Sequence, residues 1–217
     1  MKRFTNSLLA LALCGAWGVA QAQAPAAQTG TAPAKKDFTA CFAAWDKDMH
    51  TLQTDFTQTT EYDGVQISRS QGRIYYRQAG TLLRLDNLDG GQITQSALTD
   101  KKQIYVLDEK GKLVTQVAWQ EWLSGQPNQA LFDFGRYTAL LSRHRTEEFA
   151  RLGGQVVLRL TPKTQPAEYI LYVALNEKTC FPQAITVQAD LMKTTALLTD
   201  PVLNAGLKKD LFKELNK

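Results

Sequence analysis

Apolar residues near the start of the chain recur at steps of three and four positions, the spacing of one face of an amphipathic helix. They are Phe38, Cys41, Phe42, Trp45, Met49 and Leu52. Asp46, Lys47 and Asp48 supply a polar opposite face. The pattern predicts a helix that begins near Asp37, continues to about Leu52 and packs one side on a core.

From about Thr54 the period of the pattern becomes two, which is typical of antiparallel strands with one buried face. Short β-rich runs alternate with turn-forming segments such as DG, QAG, DGG, TDKK and EKGK. Gly, Asp and Lys in these segments favour tight reversals of the chain. The pattern predicts six strands between Thr54 and Trp119, and five more between Glu147 and Val202.

A segment rich in Trp, Phe and Leu interrupts the strands between Trp119 and His144. It predicts short helices at about 119–124 and 129–144. A sheet of about eleven strands tends to curl rather than stay open. The expected fold class is therefore mainly β, a single curved antiparallel sheet forming an incomplete β-barrel. An N-terminal helix and central lid helices would pack on its concave side, in one domain spanning 37–217.

The residues before this domain have the features of an export signal. Lys2 and Arg3 precede the apolar run LLALALCGAWGV, and an Ala-x-Ala exit follows it. This arrangement indicates a cleavable signal peptide over residues 1–22, and therefore an exported protein. Residues 23–36, rich in Ala, Pro, Thr and Gln, are expected to form a flexible leader. The alternatives are an uncleaved anchor, for which the run is short, and lipid attachment at Cys14, although Leu13 is not small.

Composition and charge exclude some classes of partner. The chain is 44% hydrophobic and 21% charged, which is ordinary for a globular protein. Removal of Lys2 and Arg3 lowers the formal net charge from +4 to +2, so we expect no polybasic surface and no nucleic-acid partner. Cys41 and Cys180 remain in the mature chain. They are candidates for a disulfide in an oxidising compartment, with two buried thiols as the alternative.

The sequence contains no recognisable catalytic or metal-binding constellation. His50 and His144 lack metal-ligand spacing, and we interpret both as partly exposed helical residues. No serine lies in a G-x-S-x-G elbow, and no glycine-rich phosphate loop is present. We therefore expect no enzymatic activity, no cofactor and no metal. A curved apolar sheet closed by aromatic helices would suit acyl chains, but the same residues could form only a core.

Several short motifs occur in a defined order between Phe38 and Lys217. They are Phe56-Thr57-Gln58, Gly72 in GRIYYR, Arg84 in LLRLD, Ile104-Tyr105-Val106 followed by Asp108, the central Trp- and Phe-bearing helices, LRLTPK at Leu158 to Lys163, and the late LKKDLFKEL. Together these motifs resemble the LolA-like family of periplasmic outer-membrane lipoprotein carriers, of which the chain would be a divergent member.

The resemblance implies a lid over a hydrophobic cavity for lipoprotein acyl chains. The protein would act as a monomer, receive its cargo from an inner-membrane ABC-type exporter and pass it to an outer-membrane acceptor of similar fold. A lipid-sensing, lipoprotein-sensing or other lipid-binding module on the same fold is the alternative. Strand alternation and the lid predict a cavity lined by Ile74, Tyr76, Leu83, Leu85, Tyr105, Trp119, Trp122, Phe134, Leu140, Leu141, Leu171 and Val173.

The chain departs from the family pattern after the GRIYYR strand. A basic residue followed by Pro is common there, and the basic side chain helps to fasten the lid. Gln78-Ala79 occupies this place, with Arg77 one position earlier. A shift by one residue on a strand directs a side chain to the other face. Arg77 and Arg84 remain the candidates for a lid latch.

Overall fold

The elements of the fold follow the order that the hydrophobic pattern predicts. The computed structural model describes residues 37–124, 134–163 and 169–216. The helices are α1 (Phe38–Asp48), α2 (Trp119–Ser124) and α3 (Tyr137–Arg143), and a 3-10 helix follows at Lys213–Asn216. The strands are β1 (Thr51–Tyr62), β2 (Val65–Arg77), β3 (Leu82–Asp89), β4 (Gln92–Thr99), β5 (Gln103–Asp108), β6 (Leu113–Ala118), β7 (His144–Leu152), β8 (Gln155–Pro162), β9 (Ile170–Asn176), β10 (Pro182–Ala189) and β11 (Met192–Leu203).

The eleven strands form one antiparallel sheet, in the order β6-β5-β4-β3-β2-β1-β11-β10-β9-β8-β7. The first and last strands of the chain, β1 and β11, pair with each other in the middle of the sheet. β6 and β7 lie at the two edges and are not paired with each other in the described part of the chain. The sheet is therefore open, and the predicted mainly β, incompletely closed architecture is confirmed.

One face of the sheet carries the core. On β1 the alternate side chains of Leu52, Thr54 and Phe56 are buried, and their partners on β2 and β11 lie on the same side. A single buried cluster joins residues of β5 and β8, which lie far apart in the strand order, to residues of α1, α2 and α3. Such distant strands contribute to one cluster because the sheet curves around it. We call this concave side the inner face and the opposite side the outer face.

Helix α1 begins where predicted but ends earlier. Asp37 caps its start, since Oδ1 accepts hydrogen bonds from the backbone N–H of Thr39 and Ala40. The helix ends at Asp48: the backbone N–H of Met49 still donates to Trp45 O at 3.1 Å, but the two N–H groups after it bind outside the helix. The side-chain oxygen of Asn204 accepts from His50 N at 2.8 Å and from Thr51 N at 3.3 Å. The prediction that the helix continues to Leu52 was therefore wrong, and Leu52 lies on β1.

The predicted helix over 129–144 is also shorter in its described part. Residues 125–133 lie outside the described ranges, and α3 begins at Tyr137 and ends at Arg143. His144 already belongs to β7, where it pairs with Pro162. His144 is buried rather than partly exposed: Nδ1 lies 2.7 Å from Leu140 O, and Nε2 lies 3.1 Å from Tyr169 Oη. His50 is exposed and follows α1, so it is not helical either.

Phe56, the first residue of the Phe-Thr-Gln triplet, packs closely against Gly72. Phe56 pairs with Gly72 on β2, and the glycine leaves room for the aromatic ring. A Cβ atom on Gly72 would overlap the carbonyl oxygen of Asp86 and lie 2.8 Å from Phe56 Cε1. The carbonyl belongs to the backbone of β3 and cannot move without disturbing the sheet. The glycine of the GRIYYR motif is therefore required by the close approach of β1, β2 and β3.

Replacement of Gly72 by alanine should lower the free energy of unfolding by about 2 kcal/mol, the usual cost of overpacking a filled site. Urea denaturation of the mature protein measures this change. Gly206→Ala is the matched control, because a Cβ atom at Gly206 meets no atom within 4 Å. Equal midpoints for the two variants would contradict the packing account.

Candidate functional site

The residues predicted to line a cavity mostly meet on the inner face. Those that belong to the buried cluster are Ile74, Tyr76, Leu83, Leu85, Trp119, Phe134, Leu140, Leu171 and Val173. Trp122 and Leu141 pack against the cluster from partly buried positions, and the ring of Trp122 stacks on that of Trp119 with centroids 5.2 Å apart. The structure thus joins strands from both halves of the sheet and all three helices in one apolar surface.

Tyr105 is the exception, and its predicted position was wrong. It pairs with Leu98 on β4, and Leu98 pairs with Arg84 on β3, so these three side chains lie on the outer face. Its neighbour Ile104 is the residue that enters the buried cluster. β5 carries apolar residues on both faces, and alternation alone does not decide which face is inward.

A series of aromatic rings connects α1, α3 and β2 beneath the surface, and sequence reasoning missed its central member, Tyr137. The ring of Tyr137 lies 5.4 Å from that of Phe42 and meets Phe134 edge-on at 6.1 Å. Phe134 in turn lies 6.1 Å from Tyr76. Aromatic pairs of this kind contribute roughly 0.5–1.5 kcal/mol each beyond their buried area. The three-residue step from Phe134 to Tyr137, continued by Leu140, was the available signal.

The carboxylate of Asp46 holds the start of α3. Its Oδ1 accepts a hydrogen bond from Tyr137 N and its Oδ2 one from Thr138 N, both at 2.8 Å. Arg136, which occupies the N-cap position, makes no side-chain capping bond. A residue of α1 therefore does the work of an N-cap for α3, and its negative charge is favourable at a helix N-terminus.

A lysine in the turn between β4 and β5 holds the residues just before α3. Lys101 Nζ donates a hydrogen bond to the carbonyl oxygen of Phe134 at 3.1 Å and lies 5.9 Å from the centroid of the Tyr76 ring. Gly135, which follows Phe134 in the chain, has φ +71°, and a Cβ atom there would overlap the Tyr76 hydroxyl. Backbone, cation and phenol thus approach one another closely. Lys101 itself has φ +64°, a conformation that favours glycine over lysine.

Gln78, which occupies the place where the resemblance expects a basic residue, ties the turn after β2 to α1. Its Nε2 donates to the backbone oxygen of Asp46 at 2.9 Å, and its Oε1 lies 2.8 Å from His50 Nδ1. Its backbone N–H donates to His50 O at 2.8 Å. Gln78 therefore positions the residue whose carboxylate holds α3, although it does not contact α3 in these bonds.

The contacts that the structure describes for Arg77 and Arg84 lie away from α1, α2 and α3, so within the described ranges neither residue fastens α3 as the predicted lid latch would. Both lie on the outer face, where the C-terminal segment crosses the sheet. The guanidinium of Arg77 lies 5.2 Å from the centroid of the Phe212 ring. Arg84 donates to Leu211 O at 3.0 Å and pairs with the buried Asp86 at 2.7 Å. Arg77, one position before Gln78, therefore lies on the face opposite to that of its neighbour Tyr76.

Helix α1 is fastened to the far half of the sheet. Cys41 forms a disulfide with Cys180 in the turn between β9 and β10, with Cα atoms 6.1 Å apart. The sequence separation of 139 residues corresponds to a stabilisation of about 5 kcal/mol in the chain-entropy model. Trp45 Nε1 donates to Thr179 O at 2.8 Å, and its ring lies 5.5 Å from that of Phe181. α1 is thus fixed by a covalent bond, whereas the polar bonds described for α3 are all hydrogen bonds.

The ionisable groups around the inner face serve its structure. Burial, followed by the nearby charge of Asp46, raises the pKa of the Tyr76 phenol, so Tyr76 stays neutral. Burial tends to raise the pKa of Asp100, but the backbone N–H groups of Lys102 and Gln103 bind its carboxylate and leave the pKa lowered.

In the described ranges, no group of three or more His, Cys, Asp or Glu side chains is arranged to hold a metal ion. Within those same ranges, every helix is too short or too polar to cross a membrane.

Comparison with known proteins assigns this arrangement to a family. The family described as "Outer membrane lipoprotein carrier protein LolA" matches residues 47–214, and no curated protein matches the chain. A solved LolA superfamily protein from Nitrosomonas europaea is 10% identical, covers 80% of this chain and 96% of its own, and has a TM-score of 0.46. Lipoprotein LppX from Mycobacterium tuberculosis is 11% identical, with coverages of 78% and 96% and a TM-score of 0.46.

Asp46→Ala should loosen α3 without unfolding the sheet. The loss of two acceptors at a helix start costs about 1–2 kcal/mol, so the Leu140 amide, which donates to the N-cap carbonyl of Arg136, should exchange with solvent roughly 10-fold faster. Hydrogen-exchange mass spectrometry resolves this segment. Lys47→Ala, an exposed neighbour on α1, is the control. Unchanged exchange in Asp46→Ala would show that the carboxylate does not hold α3.

Lys101→Gly should leave the global stability of the protein equal or higher while it makes α3 less stable. Glycine relieves the left-handed backbone of the turn, so the urea midpoint should stay equal or rise. The bond to Phe134 O is lost, so exchange in α3 should become faster. Lys102→Gly tests the same turn at an exposed neighbour that does not reach Phe134. Slower exchange in α3 after Lys101→Gly would contradict the role given to the lysine.

Proposed function

The chain belongs to the LolA family of outer membrane lipoprotein carrier proteins, and we propose that it carries lipoproteins from the inner to the outer membrane. The acyl chains of the cargo would lie against the inner face of the sheet, beneath α3. The observation that supports this proposal is the pairing of a continuous apolar surface with a short covering helix held by a few identifiable polar contacts. We call α3 and the preceding residues Phe134–Arg136 the lid.

The energetics of the lid suit a carrier that must both bind and release. Each buried CH₂ group of an acyl chain contributes about 0.8 kcal/mol, so even part of one chain outweighs the 1–2 kcal/mol of a capping interaction. α3 has seven residues, too few for a helix to be stable without packing. Cargo would replace the contacts of Leu140 and Tyr137 with the inner face, and the small net difference would permit release.

The route follows from the proposed cargo. An exported protein with a cleaved signal peptide would work in the periplasm as a monomer. It would receive a lipoprotein from an inner-membrane ABC-type exporter and give it to an outer-membrane acceptor. A module that senses lipid or lipoprotein could use the same inner face, but no observation on the described residues favours that alternative.

Leu140→Glu should abolish acyl binding, because it places a carboxylate on the side of α3 that faces the inner surface, where an unpaired charge is costly. Leu171→Glu should do the same from the sheet. Titration with a fluorescent fatty acid measures binding, and circular dichroism reports folding. Leu197→Glu, at an outer-face position that is 47% exposed, is the matched control.

Asp46→Ala provides a second test of acyl binding beneath α3, which can be used if Leu140→Glu or Leu171→Glu unfolds the protein. This variant retains the apolar surface and loosens only the lid, so it should bind the same fatty acid with faster uptake. A folded Leu140→Glu protein that binds as well as the control, or an Asp46→Ala protein with slower uptake than the unaltered chain, would contradict binding beneath α3.

A further inference from the structure

A second apolar concavity lies along α1, on the side of the helix away from Phe42 and Asp46, and none of the residues predicted to line the acyl cavity belongs to it. It has a volume of about 450 Å³. Its lining comes from one stripe of the helix, the β9–β10 turn and the end of β11, namely Asp37, Ala40, Cys41, Ala44, Trp45, Asp48, Met49, Thr179, Cys180, Leu203 and Asn204. We call it the α1 groove. The disulfide that forms part of its floor fixes its two walls relative to each other.

The helical side of the α1 groove is unusually small and apolar for an exposed surface. Ala40 and Ala44 are both exposed, and with Cys41 and Trp45 they follow the steps of three and four residues that define one helical face. Leu203 is 42% exposed at the opposite wall. Alanines on this face leave an open channel where larger side chains would fill it, so the channel can accept a narrow apolar segment.

The charges of the α1 groove have one sign. Among the residues that the structure describes, the charged ones that line it are Asp37 and Asp48, and they stand at the two ends of α1. At a rise of 1.5 Å per residue, they are about 16 Å apart along the helix axis. An extended chain covers the same distance in about five residues. A segment with two cations at that spacing and an apolar centre would complement both the charge and the length of the groove.

We propose that the α1 groove binds an extended peptide segment of a partner protein, with apolar residues at its centre and a Lys or Arg near each end. The apolar centre would lie over Ala40, Ala44 and Trp45, and the two cations would pair with Asp37 and Asp48. None of the residues predicted to line the acyl cavity lines the groove, so the two interactions can be tested with separate variants. It gives the protein a docking surface that stays in place when the lid moves, because the disulfide anchors α1.

The test uses the mature protein and two labelled peptides, Lys-Ala-Leu-Leu-Ala-Lys and Glu-Ala-Leu-Leu-Ala-Glu, in fluorescence anisotropy at low salt. The lysine peptide should bind about tenfold more tightly than the glutamate peptide, since both charge pairs change from attraction to repulsion. Asp48→Asn should weaken the lysine peptide and reduce its dependence on salt.

Adjacent alanines provide a matched pair of variants. Ala43 and Ala44 are both exposed on α1, but only Ala44 lines the groove. Ala44→Leu should fill the channel and abolish peptide binding, whereas Ala43→Leu should leave it unchanged. Both variants should take up fluorescent fatty acid normally, which separates this proposal from the proposed carrier function. Absence of binding, equal binding of the two peptides, or equal effects of the two leucine variants would overturn the inference.

Discussion

The apolar inner face has to be kept from water, and this constraint governs the rest of the structure. A closed barrel would protect such a face with its own strands, but this sheet is open, with edges at β6 and β7. Its cover is instead supplied by helices. α1 is anchored to the sheet by the Cys41–Cys180 disulfide and in turn holds α3 through Asp46. The cover therefore has a fixed part and a part that depends on hydrogen bonds.

The lid is held by several hydrogen-bonded connections rather than by one residue. Gln78 joins the β2–β3 turn to α1, Asp46 joins α1 to α3, and Lys101 joins the β4–β5 turn to Phe134. A basic residue is still used to hold the backbone before α3, but it comes from a different turn than the family pattern suggests. Lys101 adopts a left-handed backbone and reaches Phe134 O with its side chain.

The sequence was informative where one strand face is apolar and the other polar. The alternation in GRIYYR correctly placed Ile74 and Tyr76 inward, and strand pairing carried that parity to Leu83 and Leu85. On β5 the rule failed for Tyr105, because Ile104 and Val106 on one face and Tyr105 and Leu107 on the other are all apolar. The local pattern therefore predicted the strands better than it predicted which side chains of each strand lie on the inner face.

The contacts that control the lid could not be read from local patterns, because they join residues far apart in the chain. Asp46 and Tyr137 are separated by 91 positions, and Asn204 ends α1 from the other end of the domain. Nothing in the helical stripe of α1 distinguishes Asp46 from its neighbour Asp48, which lies at the α1 groove instead. Only the pairing of β1 with β11 and the packing of α1 against α3 separate their roles.

Native mass spectrometry of the mature protein, purified from the periplasm of its own host, tests the central claim most directly. The account predicts a population that carries the added mass of a triacylated lipoprotein or phospholipid. A clean unliganded mass, together with no uptake of fluorescent fatty acid by the same preparation, would contradict it. The inner face would then be a core that the helices cover permanently.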